Sequence, residues 1–385
     1  MNSSTNGGAV SKVLIVGGGV SGLALANGLS SAGVRVEVVE RDPRTSGSSI
    51  GLWSFSIRAF EKLGLRDELL AIGSISEKLE NFDPKGNLLD TVDYNEIPLA
   101  PGQPGQVMVS RPALAAMLDR NARARGAHIR HHVTFEAVKE VEDGVEVAFT
   151  DGTSGKYDLL IGADGVFSSV RRDVLGSLLE PRRAAVGNWQ STIPADRDMG
   201  VRNPTYWSGG DRQSFQLYPS GVGGCALSVG DILTERPATP EAVRERVCER
   251  LAAFDVPQAR YVQQLVEAEE ITMEFRRVHW LLLPPPWFKG RVVLVGDAVH
   301  AAPPNLGGGA SMAMEDAAVL TDALLRHDNL SAALNNYMTR RWGRIENVYY
   351  KSQQAQIMSQ VNVKKYFSVN SPILREVLAT LHVEP

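Results

Sequence analysis

Lys12-Val-Leu-Ile-Val-Gly17-Gly-Gly19-Val20-Ser21-Gly22 decides how this chain begins to fold. Four apolar residues run without a break into a cluster of glycines. This is the pattern of a parallel strand buried on both faces. Residues 20–32 then place Leu, Ala and Gly at helical spacing, and Val34-Arg-Val-Glu-Val-Val39 closes on Glu40. Strand, helix and strand make a βαβ unit. Gly17 permits a tight turn, Gly19 lets the backbone approach a pyrophosphate, and Gly22 lets the helix pack closely on the strand. The diphosphate would rest on N–H groups at the positive helix end, those of Val20 and Ser21 among them. Glu40 stands roughly 20 residues further on, where an acid accepts hydrogen bonds from ribose hydroxyls. The spacing predicts a dinucleotide and leaves NAD and FAD both open.

Two later stretches repeat the strand-to-glycine pattern. Tyr157-Asp-Leu-Leu-Ile-Gly162 continues as Ala163-Asp164-Gly165 and reaches Arg171. Gly290-Arg-Val-Val-Leu-Val-Gly296 continues as Asp297-Ala-Val-His300. The second is followed by Pro303-Pro304, by Gly307-Gly308-Gly309-Ala310, and by a helix expected from about Ser311. On it Ala313, Ala317, Leu320 and Leu324 share the inward face.

With these three motifs in this order, the chain resembles the aromatic-hydroxylase family of single-component flavoprotein monooxygenases. That group includes the p-hydroxybenzoate and salicylate hydroxylases. The resemblance spans about residues 1–345 and implies FAD. It places Asp164, Gly165 and Arg171 near the FAD pyrophosphate and ties them to NAD(P)H use. By the same resemblance Gly296 and Asp297 meet the ribityl chain, and Pro304 with Gly307–Ala310 meets the pyrimidine edge. Reduced flavin is negative at that edge, and a positive helix end favours it. Arg111, in Val109-Ser-Arg-Pro-Ala-Leu114, matches an FAD-contacting arginine, and Arg41 a position near the adenosine. The chain departs from its relatives at Gly308 and Ser311, where Gln and Asn are common, and at Ser54-Phe55, where many carry Pro-Asn.

The implied activity is hydroxylation of a small aromatic or heteroaromatic ring with NADPH or NADH and O2, through a flavin hydroperoxide. The expected fold class is α/β. A Rossmann-like FAD-binding domain takes residues 1–80, 108–178 and 275–345. A second, mainly antiparallel domain takes 81–107 and 179–274, and C-terminal helices take 346–385. Edge strands of the second sheet are expected from 80–110, and a helix over Glu241–Phe254 after Thr239-Pro240. In the tail, helices are expected over Ala332–Gln353 and Pro372–Leu381.

Composition agrees with an ordinary soluble globular protein: 385 residues, 43% apolar and 22% charged, enough for about two domains. A net charge of −4 without a Lys/Arg block argues against nucleic acid or anionic lipid as partner. No apolar run reaches bilayer length. Residues 1–11 lack signal-peptide character and read as a loose start. Cys225 and Cys248 form neither a disulfide framework nor a metal spacing. The expectation is a cytoplasmic protein, monomeric or homodimeric, without metal.

An aromatic-walled pocket would suit a planar ring. Trp189, Tyr206, Trp207, Phe215 and Tyr218 are the candidates, with Phe215 and Tyr218 preferred; Trp53 and Pro303 add to the substrate list. Tyr218 and His300 are the catalytic candidates, although a structural place for His300 fits better. His128, His131 and His132 read as an exposed turn. Arg340, Arg341 and Arg344 read as a solvated face. Two rival functions stand beside the hydroxylase. One is an epoxidase or halogenase of the same fold, the latter without a Trp-x-Trp-x-Ile segment here. The other is a flavin-binding regulatory protein without hydroxylase activity.

Overall fold

The computed structural model describes residues 8–44, 47–194, 204–207, 214–233, 237–361 and 363–385. The first seven residues, most of the expected loose start, lie outside them.

A six-stranded sheet runs in the order Phe288–Lys289, Val292–Leu294, Leu159–Gly162, Lys12–Val16, Arg35–Glu40 and His128–His131. Except for the short Phe288–Lys289 edge, its pairs are parallel. Val13, Leu14 and Ile15 are wholly buried, as their unbroken apolar run requires. The strands leading into the three glycine motifs are therefore neighbours pointing the same way. Their turns open side by side at one edge. Backbone bonds stitch them together: Ala163 N–H donates to Val16 O at 2.8 Å, and Val295 N–H to Gly162 O at 3.0 Å. Asp158 interrupts the expected strand over 157–162, accepting from the Ser11 and Lys12 N–H groups at 2.7 and 2.8 Å.

The helix Val20–Ser31 packs on this sheet. At Gly22 a Cβ would stand 1.9 Å from Gly17 O, so no larger residue fits without moving helix or turn. Gly17 itself has φ +109°, the left-handed half of the map that glycine enters cheaply. The helix Gly309–Arg326 packs beside it, and Ala313, Ala317, Leu320 and Leu324 are all buried as expected. His128–His131, expected as a turn, is instead the outer strand, held by parallel bonds to Glu37–Glu40.

The second sheet has seven strands: Glu274–Trp280, Arg182–Ile193, Cys225–Ile232, Ser214–Pro219, Pro204–Trp207, Lys78–Phe82 and Leu88–Asp93. All pairs are antiparallel but one, that of Pro204–Tyr206 with Glu80–Phe82. The strands expected from 80–110 divide. Lys78–Phe82 and Leu88–Asp93 join this sheet, whereas Gln106–Ser110 pairs with Ser49–Trp53 and Ser74–Ser76 in a small separate one. One face is closed by the helices Pro240–Leu251 and Pro257–Glu267. The first of these is capped by Thr239, whose Oγ1 accepts the Ala242 N–H at 3.2 Å.

The tail forms two helices, Leu330–Val361 and Val363–Leu381. Pro372 sits inside the second rather than opening it. Leu374, Val377, Leu378 and Leu381 are buried in the main core, so the tail is part of the body. Among the described residues no helix is long and apolar enough to cross a membrane.

Candidate flavin site

At the shared edge, the backbone is laid open for a ligand. A Cβ on Gly19 or Gly165 would meet nothing within 4 Å. The helix behind Gly19 starts without a side-chain cap, so its first N–H groups are available to an anion. The Gly309–Arg326 helix likewise starts uncapped, behind the Gly307–Gly308 turn. Glu40 lies at the end of its strand, with Oε2 accepting the Gly18 N–H and Oε1 the Asp42 N–H, both at 2.7 Å. Each oxygen keeps a lone pair for a ribose hydroxyl. Arg41 is exposed beside it.

Arg111 opens the helix Arg111–Ala124 and stands where the two sheets meet. A Cβ on Gly47 would lie 2.8 Å from Arg111 Cδ and 3.6 Å from Gln190 Oε1. Surrounding protein pulls the guanidinium below its usual pKa, and Asp297 opposes that fall. Asp297 is solvent-exposed, and a Cβ on Gly309 would stand 4.0 Å from its Oδ1. Glycine turns, two uncapped helix starts, Arg111 and Asp297 thus converge on one groove. The residues present fit a flavin dinucleotide: donors for phosphate, an acid for ribose, and a positive helix end for the pyrimidine edge.

The carboxylate of Asp164 and the two terminal nitrogens of Arg171 are engaged within the protein. Asp164 accepts from the Ser168 hydroxyl and from the Ser169 and Val170 N–H groups at 2.7 and 3.0 Å. Burial raises its pKa against those bonds. Arg171 donates to Ala298 O and Val166 O, both at 2.8 Å, and so ties the middle motif to the late one. They shape the turns that their neighbours use.

The substrate candidates divide by strand parity. Trp189, Tyr206 and Phe215 are buried on the helix-covered face, in the second sheet's own core. The ring of Phe215 stacks on Tyr206 at 5.5 Å and packs on Phe254 at 5.9 Å. This corrects their assignment to a pocket wall. The opposite face, which approaches Arg111 through Gln190, carries Gln190, Gln216, Tyr218 and Ser228. Tyr218 donates its hydroxyl to Gln216 Oε1 and lies near enough to Tyr94 for its charge to raise that phenol's pKa further, burial being the larger cause. Trp207 donates to Asn81 Oδ1 at 3.0 Å. Trp53 and Pro303 are buried. Trp53 Nε1 donates to Leu306 O at 2.9 Å, and its backbone N–H to Ser311 Oγ at 3.0 Å. Ser311 therefore knits the flavin loop inward.

His300 is buried, its Nε2 2.6 Å from Asp316 Oδ2, and offers nothing to a ring in the groove. The solvated face expected for Arg340, Arg341 and Arg344 is also corrected. Arg341 is fully buried between Glu315 and Asp316, Arg344 binds Glu315 at 2.6 Å, and Arg340 binds Asp322 at 2.6 Å. Asp316 went unnoticed in the sequence, although spacing offered a signal. Asp316 falls three residues after Ala313 and four before Leu320, on the helix's inward stripe. Burial alone would raise the Asp316 pKa, but His300 and Arg341 more than offset it and hold it at about 2.

Three parallel strand ends converging on a dinucleotide groove beneath a second, half-polar sheet define a flavoprotein oxidoreductase. A family model described as FAD binding domain matches residues 10–352, and the chain belongs to that family. The FAD-dependent urate hydroxylase of Klebsiella oxytoca is 30% identical over 358 residues, covering 89% of each chain. The 3-amino-4-hydroxybenzoate 2-monooxygenase PtmB3 of Streptomyces platensis is 28% identical, over 89% of this chain and 87% of its own. The crystal structure of Klebsiella pneumoniae HpxO complexed with FAD and uric acid superposes with a TM-score of 0.81 at 26% identity. That match covers 95% of this chain and 92% of HpxO. The expectations of an aromatic-hydroxylase fold, of FAD with NAD(P)H and O2, and of a monooxygenase are borne out.

Proposed function

We propose that the chain hydroxylates a small heteroaromatic ring whose edge carries hydrogen-bonding N–H and C=O groups. The observation that carries this reading is the polarity of the sheet face above the groove. Gln190, Gln216, Tyr218 and Ser228 share it, while Trp189, Tyr206 and Phe215 point the other way. Amides and hydroxyls discriminate strongly among rings, because a mismatched edge leaves buried polar groups unpaired. The urate hydroxylases among the relatives act on such a ring.

In this reading, the segments 1–80, 108–178 and 275–345 hold FAD, and 81–107 with 179–274 roof the substrate. The N–H groups of Val20, Ser21 and Gly22 take the pyrophosphate, Glu40 the ribose, Asp297 the ribityl chain, and the Gly307–Ala310 turn the pyrimidine edge. Arg111 contributes positive charge at the junction. FAD supplies the redox chemistry and the activation of O2. The protein's share is orientation and exclusion of water from the groove.

The test is NAD(P)H oxidation by FAD-loaded protein across size-matched purines, quinolones, phenols and aminobenzoates, with hydroxylated product identified by mass. The reading expects saturable stimulation and product with purines or quinolones. Stimulation confined to phenols or benzoates would overturn the heteroaromatic assignment and keep the hydroxylase.

A further inference from the structure

The turn that carries Asp297 is held from behind by one buried carboxylate. Asp316 Oδ2 accepts the Gly296 N–H at 2.9 Å and lies 2.6 Å from His300 Nε2, so it grips both ends of the short Asp297–His300 turn. Its Oδ1 accepts Arg341 Nε–H at 2.8 Å. Asp316, His300 and Arg341 are all buried, at 0%, 2% and 0% exposure. Arg341 comes from the tail helix Leu330–Val361, and it also donates to Glu315 and, at 3.1 Å, to Met312 O. The Gly309–Arg326 helix is thereby clamped to the tail within two turns of its start. From the other side Arg171 fixes Ala298 O. Asp316 does not reach the groove; what it controls is where Asp297 stands.

From this geometry we infer that Asp316 is a positioning residue for the flavin. With His300 and Arg341 it sets the angle at which the Asp297 turn and the Gly309 helix start meet FAD, and so sets how tightly the cofactor is kept. A buried carboxylate receiving three donors is costly to assemble and rigid once satisfied. A turn bonded at both ends to such a group cannot drift as a loop would. The inference rests on the reading of Asp297 as a flavin contact.

The experiment measures the rate of FAD release from full-length holoenzyme, together with its visible spectrum and thermal midpoint. Asp316→Asn keeps shape but offers its amide nitrogen where a donor already points. We expect release about tenfold faster and an altered flavin spectrum, the loss of charge-assisted bonds being the cause. His300→Leu should behave alike, and His300→Gln, whose amide can still donate to Asp316, should return release to within about threefold of the parent. That rescue separates positioning from mere bulk, and the His300 pair carries the test if Asp316→Asn does not fold. Release rates within twofold of the parent in both Asp316→Asn and His300→Leu would overturn the inference. So would a lowered thermal midpoint with unchanged release and spectrum. Asp297→Ala releasing FAD at the parent rate would remove the Asp297 reading and the inference with it. A holoenzyme that keeps FAD but hydroxylates no ring would sink the proposed function alone.

Discussion

The two large sheets use burial in opposite ways. In the six-stranded sheet, Lys12–Val16 is covered on both faces, and its chemistry is delivered at the strand ends by backbone N–H groups and glycine turns. In the seven-stranded sheet, Ser214–Pro219 alternates. Phe215 and Leu217 close the core under two helices, and Gln216 and Tyr218 lie on the opposite face. A cofactor common to many enzymes can be read by main chain, which any sequence supplies. A particular ring must be read by side chains, and a half-covered antiparallel sheet presents those in rows.

If this contrast holds, damage to the first region should register as lost stability and lost flavin. Arg341→Met removes the cation between Glu315 and Asp316 and leaves carboxylates in the core short of a partner. We expect a loss of about 4 kcal/mol or more, seen as a lower urea midpoint, with Arg341→Lys intermediate. In the second region, Phe215→Ala should cost about 3 kcal/mol from the cavity it opens, yet leave the KM for the ring unchanged in the protein that folds. A raised KM with full stability would return Phe215 to the pocket wall and break the comparison.

Alkali offers a second cut between the regions. Burial raises the phenols of Tyr94, Tyr157 and Tyr337 above their ordinary value of 10, with Glu37 adding to the effect at Tyr157 and Asp316 at Tyr337. All three belong to the core around the six-stranded sheet. A raised acid is protonated when folded, so its contribution is complete below pH 10 and is lost as pH climbs beyond that value. Ultraviolet titration should show these phenols ionising only together with unfolding. Free titration of all three in folded protein would contradict their burial.

How much of this was legible depended on whether the signal was local. Val13–Val16, Gly17, Gly19 and Gly22 lie within one short stretch, and its strand, turn and helix stand where the periodicity put them. The adjacency of the three motif strands was implied only by their shared pattern, since nothing in residues 12–17 names residues 159 or 292. Phe215 and Tyr218 were preferred together for one pocket wall, but three residues apart on a strand means opposite faces. The charges of Arg340, Arg341 and Arg344 looked solvated because their partners, Glu315, Asp316 and Asp322, sit on another helix. Long-range pairing of charges leaves little trace in local spacing, although Asp316 on an apolar stripe was a clue in plain view.

The smallest expected effect is also the sharpest probe of the polar roof. Tyr218 donates to Gln216 Oε1 and is only half-buried, so Tyr218→Phe removes one hydroxyl without opening a cavity. If that hydroxyl only braces Gln216, the amide can turn to water and KM should stay within error. If the Tyr218–Gln216 pair reads the ring edge, the lost bond is worth about 1 kcal/mol, roughly a fivefold rise in KM. The thermal midpoint and FAD release should not move, because neither residue touches the clamp at Asp316. Tyr218→Phe and Phe215→Ala then form a crossed pair on one strand. The first should move KM and spare stability, and the second the reverse, as alternation along a half-covered strand requires.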